Sequence, residues 1–436
     1  MKVRHLNSDS AHPRHASPPD IAGRLPFPSL CAIFLAADTF PPLLAYLHIS
    51  RSLAVGLIVA AALAIVLVSV NFAIISARAG DQTFFHARAN SLVLIGVTLA
   101  LICVHGTIAS RIVPIDFDRF ALSFIPLVFL LAGATSVAYV LRTATPQQID
   151  SMAWVCFWTF VGFLLLRFIH LEPDASAYNK PLFPFSEPSH FALAFGPLYL
   201  YRSITAPKRW QLTWIAFGVV IAVIIRDATL LAFAFGAAML CRRLLFLAST
   251  AVVAILTTAA THFTYFTSRA DISSHSRNLS VLVYIQGWEF LWRSLHLSHG
   301  WGIGFQQLGT FPLHLSITQI IRSYTNGSAL NTMGGGFLFS KLGSEFGVFG
   351  VLLAIAFGIL CINSIVKLRG TNAVPHQHMF ARCIIVAFGV DMFIRGPGYF
   401  FGAPMLFLGA VLSLSPGSGL LRRKLSTSGA ETLALR

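Results

Sequence analysis

An all-α, polytopic membrane architecture is what this sequence predicts, and three observations predict it. The 436 residues are 56% hydrophobic and only 11% charged, where a soluble protein averages about 25% charged. The apolar residues fall into about twelve stretches, most of them long enough to cross ~30 Å of hydrocarbon as a helix. Lys and Arg gather in short connections on one side of those stretches. The formal net charge of +15 raises nucleic acid as a partner. The basic residues are instead dispersed over short loops and tails, with no basic stripe on a soluble domain. They read as topology signals with some affinity for anionic membrane lipids, and no nucleic-acid binding is expected.

In chain order, residues 1–27, with KVRH, HPRH and SPPD, form a basic cytoplasmic tail. No short apolar core followed by a small-residue cleavage site marks a signal peptide. A transmembrane domain spans 28–414, with crossings at 29–48, 52–77, 90–109, 120–141, 151–170, 187–201, 210–226, 228–241, 244–263, 346–366, 379–394 and 398–414. The first is broken by Asp38 and Pro41–Pro42, and 187–201 and 228–241 are short. A cytoplasmic tail follows at 415–436. An even number of crossings puts both termini on one side. With those termini inside, the cytoplasmic connections carry Arg78, Arg88, Arg142, Arg202, Lys208, Arg209, Arg242, Arg243, Lys367 and Arg369, which is the usual positive-inside bias.

The long connection at 264–345 then emerges outside. Within it, Val281, Tyr284, Ile285, Trp288, Leu291, Trp292 and Leu295 recur at helical spacing, with Gln286, Glu289, Arg293 and His296 opposite. A charged face and two tryptophans predict a helix lying in the outer interface rather than a further crossing. PLHLSITQIIRSY is a second, weaker amphipathic stretch. The glycines of GWGIGFQQLG, between the two, permit tight turns. No internal repeat relates the two halves of the chain.

Polar residues that carry chemistry collect at the outer ends of the crossings. In FSEPSHFAL, Pro188 suits the first turn of a helix, Glu187 stands where a cap would, and His190 follows on the same face. The plain reading is a cap beside an interfacial histidine. The functional one has Glu187 or His190 accepting a proton from a hydroxyl nucleophile. Arg226, in IIRDAT, lies outside against the charge bias, and arginine's fork of donors matches phosphate. Asp227 beside it offers a structural ion pair instead. Arg269 and Arg277 lie where a diphosphate headgroup would reach, and Arg395 and Tyr284 are further site candidates.

Asp38 reads as a kink with a buried hydrogen bond. Asp116 and Asp118 form no catalytic pair, and Glu345 reads as a helix cap. The six cysteines include no CxxC pair, and His296, His299 and His314 lack metal spacing, so neither disulfide framework nor metal site is expected. No Walker-type loop or dinucleotide fingerprint occurs, and no cofactor is expected.

Three patterns carry a family resemblance: IIRDATLLAFAFG, an arginine at the outer end of one helix running straight into the next; the long outer loop with its arginine, amphipathic helix and GWGIGFQQLG; and GGGFLFSKLGSEFGVFG leading into the following crossing. With FSEPSHFAL, these make the chain resemble the O-antigen polymerase (Wzy) and O-antigen ligase superfamily of bacterial inner membranes, best over roughly 180–366. Many relatives carry a small or neutral residue where Asp227 stands. The resemblance implies a glycosyltransferase that polymerises undecaprenyl-diphosphate-linked repeat units into a surface polysaccharide at the periplasmic face. Its partners would be the lipid-linked donor and acceptor and a chain-length regulator. Arg226, Arg269 and Arg277 would bind the diphosphate, with Glu187 or His190 as the base. The alternatives are an O-antigen ligase and, from another class, a transporter of lipid-linked oligosaccharide. Transporters usually show two related halves and midplane polar sites.

Overall fold

The computed structural model describes residues 25–50, 52–79, 83–166, 182–241, 272–310, 313, 315–370 and 374–415. Among these residues the regular elements are all helices: α1 (Phe27–Tyr46), α2 (Leu53–Ala79), α3 (Thr83–Ala109), α4 (Phe117–Leu122), α5 (Phe124–Thr143), α6 (Pro146–Leu166), α7 (Pro188–Thr205), α8 (Lys208–Ile225), α9 (Ala228–Leu240), α10 (Leu279–Leu297), α11 (Ser316–Tyr324), α12 (Leu338–Phe346), α13 (Val348–Arg369), α14 (His376–Phe393) and α15 (Gly402–Leu414). Each expected crossing within the described residues is a helix. The segment 244–263, most of both tails and the start of the long loop lie outside them. The first crossing, expected to be broken, is one helix that keeps Pro41 and Pro42 in its interior.

Local chemistry sets several boundaries. Asp116 caps α4 by accepting the Arg119 N–H at 3.0 Å, Asp227 caps α9 through Leu230 N at 2.7 Å, and Asn278 caps α10 through Ser280 N at 3.0 Å. Pro188 occupies the first turn of α7, as its missing N–H allows.

Among the described residues, seven helical stretches are long and apolar enough to cross a membrane: α1, α2, α3, α4 with α5, α6, α8 and α13. Their outer faces are apolar too. Along α13, Val348, Leu352, Ile355, Ile359, Ile362 and Val366 are all exposed at helical spacing, a stripe that hydrocarbon tolerates and water does not. Inside, α7 is buried all round from Phe191 to Tyr201 and forms the axis of the bundle. Phe157 and Phe160 of α6 pack edge or face against Phe185, Phe191 and Phe195. Small residues let the helices approach closely, as in membrane bundles. A Cβ on Gly196 would stand 2.4 Å from the Phe233 ring, and one on Gly218 would stand 2.3 Å from the Tyr199 hydroxyl.

Long-range polar contacts sort the helix ends into two groups. At the lower end, Arg142 donates to the carbonyls of Leu412 and Ser413, Arg202 meets Asp150 at 2.7 Å, Tyr201 meets His376 Nδ1 at 2.8 Å, and Gln148 donates to Leu25 O at 3.2 Å. These contacts gather the starts of α1, α6 and α14 with the ends of α5, α7 and α15. The opposite ends form the upper end, where the 298–310 loop sits.

The long loop contains a helix, α10, where one is expected, but its buried face differs in part from the expected one. Gln286, Gly287, Phe290 and Ser294 are buried, Trp292 is exposed, and Tyr284, Ile285 and Trp288 are half-buried. Gln286, expected on the outer polar face, donates to Thr318 Oγ1 at 2.6 Å. Packing turns the buried face part of the way and does not reverse it, because Val281 and Leu291 of the expected apolar face are buried and Arg293 and His296 of the expected polar face are exposed. The polar side of α10 meets backbone from the glycine run, where a Cβ on Gly287 would come within 2.6 Å of Gly335 O, and only a small residue there permits that approach.

Candidate active site

Glu187 begins the site. It occupies the N-cap position of α7, yet its carboxylate makes no capping bond. Its backbone carbonyl accepts the His190 N–H at 3.1 Å, which leaves the side chain available elsewhere. That carboxylate takes a hydrogen-bonded ion pair from Arg395 Nη2 and the Ser189 hydroxyl at 3.2 Å. Arg395 follows the end of α14 and also donates from Nη1 to Ser280 Oγ at 3.4 Å. Three elements far apart in sequence thus meet: the start of α7, the end of α14 and the first turn of α10. The pair is half-open, with 44% of the Glu187 side chain and 21% of Arg395 exposed. His190, one turn along α7, has Nδ1 3.4 Å from Ser186 Oγ and its ring 6.1 Å from that of Phe401.

The first turn of α10 continues the site outward. Ser280, Tyr284 and Trp288 succeed one another at i, i+4 and i+8, on one face. Tyr284 lies 5.0 Å from the Phe337 ring and Trp288 5.3 Å from it, and Trp288 also packs on Phe339 at 5.7 Å. A half-buried aromatic row therefore runs along α10 from Ser280, the residue that meets Arg395.

The remaining sequence candidates divide. Arg226 and Arg277 are exposed, Arg277 three residues before Ser280 and Arg226 at the α8–α9 turn of the same end. Arg226 closes α8 with φ of 55°, in the left-handed region where glycine is the favoured residue. Asp227, offered as its structural counter-charge, is buried and commits Oδ1 to the Leu230 N–H. Arg269 lies outside the described residues.

Sequence reasoning read Glu345 as a cap, and the structure corrects this. Glu345 sits near the end of α12, fully buried, with Oε2 accepting Gln306 N–H at 2.9 Å and Oε1 accepting Leu308 N–H at 3.3 Å and facing Lys341 Nζ at 3.3 Å. Lys341 also donates to Met333 O at 2.5 Å. Burial pushes the Lys341 ammonium down from the usual lysine range, against the pull of Glu345. This pair fastens the GWGIGFQQLG loop to the α12–α13 corner, and the backbone completes the clasp: Ile303 N–H donates to Ser344 O, and Val348 N–H to Gly300 O. Gly347, at φ +61°, passes so close that a Cβ would stand 1.9 Å from Gly300 O. The loop in turn reaches α3 and α4, with His105 Nε2 2.8 Å from Trp301 O and Gln307 Oε1 accepting Asp116 N–H at 2.8 Å. The signal for the Lys341–Glu345 pair was present as an i,i+4 spacing in SKLGSE. Nothing local marked Ser280.

Chemically, the arrangement offers a carboxylate and an imidazole one turn apart, a guanidinium able to leave the carboxylate for an anion, and aromatic faces along α10. Comparison with protein families, with characterised proteins and with solved structures finds no match for this chain.

Proposed function

We propose that the chain is a membrane glycosyltransferase that polymerises undecaprenyl-diphosphate-linked oligosaccharide repeat units, with its site at the extracytoplasmic ends of the helices. In this reading the upper end faces the periplasm of a bacterial inner membrane. Twelve crossings leave both termini in the cytoplasm beside Arg142, Arg202 and Lys208, and the 264–345 segment lies outside. The observation that carries the reading is the half-open Glu187–Arg395 pair, beside His190 and joined through Ser280 to the Tyr284–Trp288 row. A sealed structural pair would need none of these neighbours.

The chemistry follows from the residue types. Cleaving the anomeric C–O bond of the donor leaves negative charge on its diphosphate and positive charge on the sugar. Arg395 turns from Glu187 to the diphosphate, joined by Arg226, Arg277 and Arg269, and stabilises that charge in a site of reduced dielectric. Glu187, released, accepts the proton of the acceptor hydroxyl as that oxygen bonds to the anomeric carbon and the lipid diphosphate leaves, with His190 one turn away to relay the proton. Tyr284 and Trp288 supply flat apolar faces for sugar rings. The left-handed conformation of Arg226 supports its part, since a side chain there costs on the order of 1 kcal/mol that glycine would not.

The direct test is elongation of lipid-linked repeats by the purified protein in detergent, with no sealed compartment. Activity there excludes transport as the primary role. Deleting the gene is expected to leave single repeat units on the surface glycan, whereas full-length glycan stranded on its carrier lipid would identify a ligase. Reporters fused near Asn326 and Gln377 are expected to read external and cytoplasmic respectively.

A further inference from the structure

A second set of ionisable groups lies inside the bundle, about one helical turn below Arg395. Asp38 of α1 and Asp391 of α14 are 5% and 3% exposed and line one cavity of about 10 Å³, room for a single water. Asp391 Oδ1 is buried there without a hydrogen-bond partner. Among the described residues no Lys, Arg or His lines this cavity; α7, α14 and α15 contribute only apolar side chains to the rest of it. The charged and titratable groups on the packed helices sit elsewhere. Glu187 and His190 open α7, with Glu187 about 9 Å along the axis from Leu193. Arg395 follows α14, Arg382 lies toward its lower end, and α1 and α15 carry no further Asp, Glu, Lys or Arg.

Prolines add acceptors at the same place. Pro197 lines the cavity and has no N–H, so the carbonyl of Leu193, another lining residue, loses its i+4 donor. Pro42 removes the corresponding donor from the carbonyl of Asp38 itself. Two ionised carboxylates on one apolar cavity would repel each other and lose their hydration without a cation in return. A protonated carboxyl instead has an O–H to give to a neighbouring carboxylate or to a carbonyl freed by proline. A small metal ion would draw on the same oxygens, and the sodium arm of the test below separates it from a proton.

We propose that Asp38 and Asp391 form an intramembrane proton-binding site, the two acids together retaining at least one proton at neutral pH. The site stands independently of the glycosyltransferase reading, but it adjoins that machinery. Asp391 is one helical turn before Arg395, so gain or loss of the proton acts on the end of α14 that carries the arginine.

Infrared spectroscopy of the full-length protein in detergent at neutral pH tests this. A protonated-carboxyl C=O band is expected in the wild type and is expected to vanish in the Asp38→Asn, Asp391→Asn double variant. A wild type with no such band, or a band that survives in the variant, overturns the proposal. Adding sodium at fixed pH is expected to leave the band unchanged; its loss would mark a metal-cation site and overturn the proton assignment. If the double variant does not accumulate, mapping adducts of an apolar carbodiimide, which adds to protonated carboxyls, decides on the wild type. An adduct on Asp38 or Asp391 supports the site, and adducts on neither overturn it.

Discussion

Glu345 and Lys341 keep 0% and 4% of their side chains exposed, whereas Glu187 and Arg395 keep 44% and 21%. Both are carboxylate–cation pairs at the upper end, the first bonded to the glycine-rich connection between α10 and α13 and the second to the first turn of α10. The first spends every oxygen inside: two loop N–H groups and the ammonium occupy Glu345. The second is made across three elements and borders a histidine and two serines, one of which begins an aromatic row. The difference teaches that residue type and membrane end do not separate scaffold from site. Burial and the number of fixed partners do.

Variants can break or sharpen this contrast. The largest effect on stability is expected from Glu345→Ala, which leaves Lys341 buried and the loop N–H groups unpaired. A cost of ~3–5 kcal/mol would be read as a large drop in the unfolding midpoint of the detergent-purified protein. An unchanged midpoint would mean that the pair is not sealed. Gly347→Val comes next, forcing a β-branched side chain into a positive-φ position against Gly300 O. At least ~1–3 kcal/mol is expected, measured in the same melt.

Glu187→Gln inverts the pattern. Its stability is expected to stay within ~1 kcal/mol of wild type, as for exposed pairs, while elongation falls ~10²-fold or more, as removal of a general base does. Product ladders on gels report the second effect directly, and normal glycan length would take Glu187 out of the site. Arg395→Lys sharpens it further. The charge stays but the fork is lost, so elongation is expected to lie between those of wild type and Arg395→Ala. The smallest stability change belongs to Arg226→Gly, which relieves the left-handed cap and is expected to hold or raise stability by ~1 kcal/mol, even as elongation drops. Unaltered elongation there would reduce Arg226 to a cap.

Much of the fold is legible in the sequence because its signals are local. Apolar runs give the helices, and Pro188 announces the start of α7, whereas the caps made by Asp227 and Asn278 come from the structure. The candidate site is legible only in part. FSEPSH and Arg395 stood out as polar groups at crossing ends, but their contact joins residues 208 positions apart. The buried face of α10 is turned partly away from the expected one for a related reason. Its apolar residues do keep helical spacing, yet the bare backbone of Gly335 and Gly336 approaches the other side, and no periodicity in α10 records that.

By itself the sequence determined that the chain is all-helical and built around long apolar helices, and which polar residues stand at the helix ends. Only the tertiary structure decided that Glu187 meets Arg395, that Glu345 anchors a loop and is not a cap, and that Asp38 and Asp391 share one cavity. The physical reason lies in the composition of the helices. A helix apolar on every side carries no amphipathic stripe to say which face turns inward. Its neighbours are then fixed by small-residue contacts such as Gly196 on Phe233 and Gly218 on Tyr199, which exist only once the bundle has assembled.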